Sequence, residues 1–264
     1  MKRKLFNSMP IAIGIIAMGI ILLSGVRGFA SGSEDIDALL QSEELQKRVT
    51  KDGILELLDE MKAILAENPD DYTANWQYAA LLYFYGDYYA TDPETKKHYF
   101  TACKDYAQKS VNINPNGVAA NYWLGVGYAK WSESHGILRS LFNVGNVLRY
   151  MSKTIELDPS FFRGVPWGIR ATVYAFAPRV ISVGNPQKAR EDIEAALKYG
   201  PDYRVTHQVA ANVLIQLQEW EQANEVIEKG LALPFNPLLK IEEEECIKQL
   251  NSMKSKVNTE LAKK

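Results

Sequence analysis

Cysteine is nearly absent, and with it every spacing that turns thiols into chemistry. Only Cys103 and Cys246 occur in 264 residues, which excludes a disulfide scaffold and leaves room for one bridge. Neither lies in a CxxC, and His98, His135 and His207 form no HxxxH or HExxH, so no metal site is expected. GxSxG, a Walker loop and a Gly-rich strand-to-helix turn are all missing. No catalytic residue and no cofactor is therefore expected, and the chain reads as a non-enzyme. Positive charge is not in excess either. Lys and Arg number 30 against 32 Asp and Glu, for a net charge of -2, and no basic stripe alternates with aromatics, so nucleic acid is a poor partner. At 47% hydrophobic and 23% charged residues, the chain has the apolar content for one large or two small cores.

The first thirty residues differ from the rest. "MKRK" is a positive n-region, "MPIAIGIIAMGIILL" an apolar run, and Gly28 and Ala30 make a small-x-small site, the pattern of a signal peptide over residues 1–30. The second reading is an uncleaved inner-membrane anchor through residues 9–26, which approach the roughly 20 residues of a spanning helix. No cysteine follows for lipid attachment. Both readings put the folded part in the periplasm, and cleavage would leave a net charge of about -6.

Five prolines punctuate the remainder: Pro69, Pro115, Pro159, Pro201 and Pro234, at intervals of 46, 44, 42 and 33. The last interval matches a helix-pair repeat of about 34 residues, and the others match it with insertions of about 8 to 12. Aligning Trp76, Trp123 and His207 puts small residues at close-approach positions (Ala79, Ala80, Gly127, Gly168, Ala210, Ala211), expected to bring the two helices of a pair together. Asp70, Asn116, Ser160 and Asp202 follow the prolines as expected N-caps. The fold class is all-α: a tetratricopeptide-like right-handed superhelix over residues 68–237, with an N-terminal helical cap at 31–67 and a C-terminal capping helix at 238–264. The run Glu242 to Glu245 reads as the solvated first turn of that helix. His207 reads as a packing histidine.

In such a stack the first helices line a concave face. The alignment places Leu81, Phe84, Tyr85, Asn121, Leu124, Tyr128, Trp131, Phe162 and Ile169 there, an aromatic groove for a protein partner or a small apolar ligand. Alternatively the chain fills its own groove with Ile137, Leu138, Leu141, Phe142, Val180 and Ile181 from the insertions, as a structural envelope scaffold would.

"AANYWLGVGYAKW" (119–131), "MSKTIELDPSFFRGVPWG" (151–168), "APRVISVGNPQKARED" (177–192) and "ALKYGPDYRVTHQVAANVL" (196–214) resemble the T-component family of TRAP transporters. The resemblance spans about residues 70 to 240. It implies a periplasmic accessory protein that docks a TRAP substrate-binding component or an apolar ligand, and that forms homo-oligomers. The eukaryotic regulators of microtubule dynamics share the repeat layout, and the bacterial-looking leader argues against them.

Overall fold

The computed structural model describes residues 46–179 and 182–263, the side chains of 137–141 excepted. The leader, the 9–26 run, Val180, Ile181 and the side chains of Ile137, Leu138 and Leu141 lie outside the described residues. Among the described residues there are ten α-helices and no strand. They are α1 (Lys51–Glu67), α2 (Tyr72–Tyr88), α3 (Pro93–Ile113), α4 (Val118–Ser134), α5 (Ile137–Leu157), α6 (Val165–Phe176), α7 (Pro186–Tyr199), α8 (Arg204–Gln216), α9 (Trp220–Ala232) and α10 (Lys240–Leu261). The pairs α2/α3, α4/α5, α6/α7 and α8/α9 pack as units and stack in order, with α1 against α2 and α10 against α8 and α9. The chain is a tetratricopeptide-like helical stack.

The prolines build the turns between units. In Asn68 to Asp71, Asn114 to Gly117, Asp158 to Phe161 and Gly200 to Tyr203, the fourth N–H donates to the first carbonyl at 3.0–3.3 Å, with proline second. Asp70, Asn116, Ser160 and Asp202 are therefore third in the turn, and the N-cap is the next residue: Asp71, Gly117 and Tyr203. Only Asp71 caps by its side chain, accepting from Ala74 N. Three of the expected caps are corrected by one position because the turn occupies the residue after proline, while Ser160 stands at the N-cap of the 3-10 helix Phe161–Gly164 with no side-chain capping bond.

Each proline carbonyl is left pointing at the new helix. Asn75 Nδ2 donates to Pro69 O at 2.9 Å, and Asn121 Nδ2 to Pro115 O at 3.0 Å. His207 Nε2 donates to Pro201 O at 2.8 Å, six residues after its proline like the two asparagines. This makes Asn75, Asn121 and His207 equivalent, so Trp76 matches Tyr122 and Gln208. The alignment of Trp76 with Trp123 and His207 is thus off by one residue in each unit, in opposite directions, and one residue is about 100° around a helix.

The third unit departs from the others. After its turn, Phe162 (φ 52, ψ 39), Arg163 (φ 51, ψ 42) and Gly164 (φ 78, ψ 6) are left-handed in succession. That detour delays α6 and drives Phe162 inward, where it stacks on Tyr122 at 5.3 Å. A non-glycine residue there costs about 1 kcal/mol. Arg163→Gly removes that cost and gives up an exposed ion pair to Asp202 at 3.4 Å, worth under about 1 kcal/mol. The thermal midpoint is expected to rise by about 1–3 °C in scanning calorimetry. A fall would mean that the guanidinium over Tyr203, at 5.8 Å, outweighs the backbone.

Two glycines hold units together rather than the helices of a pair. A Cβ at Gly127 would stand 2.7 Å from Lys104 Cα on α3, and one at Gly168 2.9 Å from Val209 on α8. Both neighbours belong to adjoining units, which corrects the close-approach assignment for these positions.

Candidate functional site

The nine residues expected to line an open groove are mostly interior. Leu81, Phe84, Tyr85, Asn121, Leu124, Phe162 and Ile169 are buried, and only Tyr128 and Trp131 are partly exposed. The cause is visible in α2 and α4, which are apolar on all sides. Residues Ala74 through Gly86 are buried without interruption, as expected for a helix with no polar face. Their rings form a ladder along the stack: Phe100 to Tyr83 at 6.4 Å, Tyr83 to Trp123 at 5.7 Å, Trp123 to Tyr122 at 5.1 Å. It continues from Tyr122 to Phe162 at 5.3 Å and from Phe162 to Tyr203 at 6.4 Å.

Two segments far apart in the chain close over this ladder. Arg48, just before α1, lies 4.7 Å over the Phe84 ring and donates to Glu242 Oε1 at 2.7 Å, both side chains being 1% exposed. Arg48 Nη2 and Gln46 Nε2 both reach Leu238 O at 3.3 Å, and Tyr89 donates its hydroxyl to Arg48 O at 2.7 Å. Arg204 holds Glu243 at 2.8 Å and the carbonyls of Gly230, Leu233 and Pro234. Glu242 and Glu243 are accordingly buried, not solvated, and face two guanidinium groups rather than water, while Glu244 is exposed as expected. Burial, and after it the Glu242 charge, push the Tyr88 and Tyr203 phenols well above their ordinary range. Arg48 Nε, Glu242 Oε2 and the Tyr88 hydroxyl are buried with no hydrogen-bond partner among the described residues. Among the described residues these two segments cover the ladder, and Phe142, expected to fold back over it, is 83% exposed.

Titratable groups inside the stack are tied to each other. Lys130 is buried and donates to Asp87 at 2.7 Å, while Tyr83 donates to the other Asp87 oxygen at 2.8 Å. Burial alone would lower the Lys130 pKa, but the charges of Asp87 and Glu133 overcome it and raise it, so the ammonium stays charged and is no nucleophile. Burial pushes both Cys103 and Cys246 thiols far up, and neither is in a disulfide. His207 is a packing histidine on the Pro201 carbonyl. Arg170 forms a two-pronged pair with Asp192 at 2.7 Å for both bonds. Among the described residues no three His, Cys, Asp or Glu side chains gather as metal ligands do, and no helix is long and apolar enough to cross a membrane.

Tyr128 and Trp131 keep surface. Tyr128 stacks flat on Tyr150 of α5 at 5.7 Å, and Trp131 lies under the Lys104 ammonium of α3 at 5.3 Å and against His135 at 4.4 Å. They therefore face the layer of second helices. The register slip accounts for Tyr128, which matches Leu82 rather than Leu81, whereas Trp131 matches Tyr85 and keeps an expected position.

Among solved structures, the chain is similar to TTC0263, a thermophilic TPR protein of Thermus thermophilus. The TM-score is 0.55 at 16% identity, over 74% of this chain and 91% of that one. Yeast Tom70 matches at a TM-score of 0.33 and 13% identity, over 90% of this chain and 68% of that one. No curated protein matches by sequence. The family model for the regulators of microtubule dynamics, proteins 1-3, matches residues 33–258, so the repeat layout outweighs the leader that argued against it. The chain belongs to the regulator of microtubule dynamics protein 1-3 family.

Proposed function

We propose that this chain is a non-catalytic adaptor that docks a protein partner on the side of α4 carrying Tyr128 and Trp131. The observation that carries the reading is that these two are the only expected groove residues left with exposure, and that both are large aromatics seated on fixed neighbours. Ordered aromatics with part of their surface free are the usual anchors of protein interfaces. The helical-repeat fold supports the same role, and the interior charges, being paired with each other, supply no activated nucleophile.

The finer reading is a periplasmic partner, the substrate-binding component of a TRAP transporter, with a small apolar ligand as a further cargo. It is supported by the four sequence segments and by the leader of residues 1–30. A second reading, a partner linked to the cytoskeleton, is supported by the name of the family. The envelope-scaffold reading shares its geometry with the first, since a face covered by the chain's own segments leaves the outer surfaces for docking.

A photo-crosslinking residue at position 131 of the full chain, expressed in its host, tests this. The expected result is one dominant crosslinked protein, whose identity separates the transporter from the cytoskeletal reading. Tyr128→Glu should cut its yield at least tenfold while leaving the helical circular dichroism unchanged. Unaltered yield would remove α4 as the docking surface.

A further inference from the structure

The second helices form a layer whose charge changes along the stack. Helices α3 and α5 together carry seven Lys or Arg against three Asp or Glu, α7 carries three against three, and α9 one against three. On α5, Phe142, Gly145, Arg149 and Glu156 are exposed and Lys153 half-buried. The spacings of three, seven, eleven and fourteen put all five on one side of the helix. Phe142 heads that stripe at 83% exposure, and the space beyond Gly145 is open, a Cβ there meeting nothing within 4 Å. Lys153 is paired with Glu156 at 3.1 Å, whereas Arg149 and Lys109 have their charges over Tyr150 and Tyr106, at 5.3 and 4.6 Å, with no ion pair to a carboxylate among the described residues.

We propose that the outward side of α3 and α5, headed by Phe142, docks on an anionic lipid bilayer. A near-fully exposed phenylalanine gains free energy only where an apolar phase receives it. Lys and Arg beside it gain only where the surface is negative. An anionic bilayer offers both side by side, the acyl boundary for the ring and the headgroup layer for the cations. A nucleic acid would reward the charge, but the chain is net negative, and an acidic protein would need a pocket shaped to Phe142. The inference is independent of the protein-docking reading, because it concerns α5 and the ends of α3, not Tyr128 or Trp131.

The test uses the full chain with Phe142→Cys carrying an environment-sensitive NBD label. Cys103 and Cys246 are buried with raised pKa values, so labelling in the native state is confined to position 142. A second labelled chain carries Glu225→Cys on the exposed side of α9. Vesicles of phosphatidylcholine with one third phosphatidylserine should shift the label at 142 to the blue and raise its emission. Pure phosphatidylcholine should do so only at lipid concentrations about 30-fold higher, given two or so cations near the surface, and salt should erase the difference. The label at 225 should stay silent. If the apolar leader alone carries the chain to vesicles, position 142 remains silent while the protein co-sediments, and the proposal fails. Equal shifts at 142 and 225 mean general adsorption and also overturn it. A shift with soluble polyglutamate but not with vesicles assigns the surface to an acidic protein and overturns the bilayer.

Discussion

Glu242→Ala is expected to destabilise the protein by about 3–5 kcal/mol, because it strands the Arg48 guanidinium in a buried seam. Arg48 and Glu242 are 194 positions apart in sequence and both are shut off from water. Removing the carboxylate leaves a positive charge over Phe84 with only the Leu238 carbonyl to hold it. The pair itself is a weaker stabiliser than that number suggests. Arg48 Nε and Glu242 Oε2 are already without partners, so each ion loses more hydration than it recovers. The double replacement Arg48→Met with Glu242→Leu should therefore restore most of the loss. Urea unfolding of the two single variants and the double variant measures this as a coupling energy. A cost under about 1 kcal/mol for Glu242→Ala would mean that the segments carrying Arg48 and Glu242 do not close over the ladder in solution.

What could be read from the sequence, and what could not, divides by the range of the interaction. The proline spacing announces the repeats because each turn is local: a proline second in the turn and a carbonyl left for the new helix. The register was hidden by similar side chains at different positions. Trp76 and Trp123 look equivalent, yet Asn75 and Asn121, each six residues after proline, are the matched pair. That spacing recurs at His207 and was the signal to align on. The unbroken burial of α2 was also legible, since its residues have no polar face to turn outward. The closing of the concave face was not legible, because it depends on charged residues that read as solvated until their partners are brought from a distant part of the chain. Glu242 and Glu243 illustrate this: four successive glutamates suit a wet helix start, and only Arg48 and Arg204 show why the first two are dry.

Trp123→Ala and Trp131→Ala should separate the two tryptophans that stand eight residues apart on α4. Trp123 sits in the ring ladder between Tyr83 and Tyr122 and is 2% exposed. Its truncation empties a ring-sized volume between two units, at a cost of about 3–5 kcal/mol. Because neighbouring units stabilise each other in a stack, the loss should also broaden unfolding or split it into two transitions, as the contact between units one and two fails before the rest. Trp131 is seated from outside, under Lys104 and against His135. Its removal forfeits a partly exposed cation–π contact and a stacking contact, about 1 kcal/mol in sum. Urea midpoints for the two variants would then differ widely while crosslinking to a partner responds only to position 131. Equal costs would place Trp131 inside the core and return the docking surface to another face. The inequality follows from one step of helical geometry: eight residues carry a side chain about 80° around α4, from the seam between units to the layer of second helices.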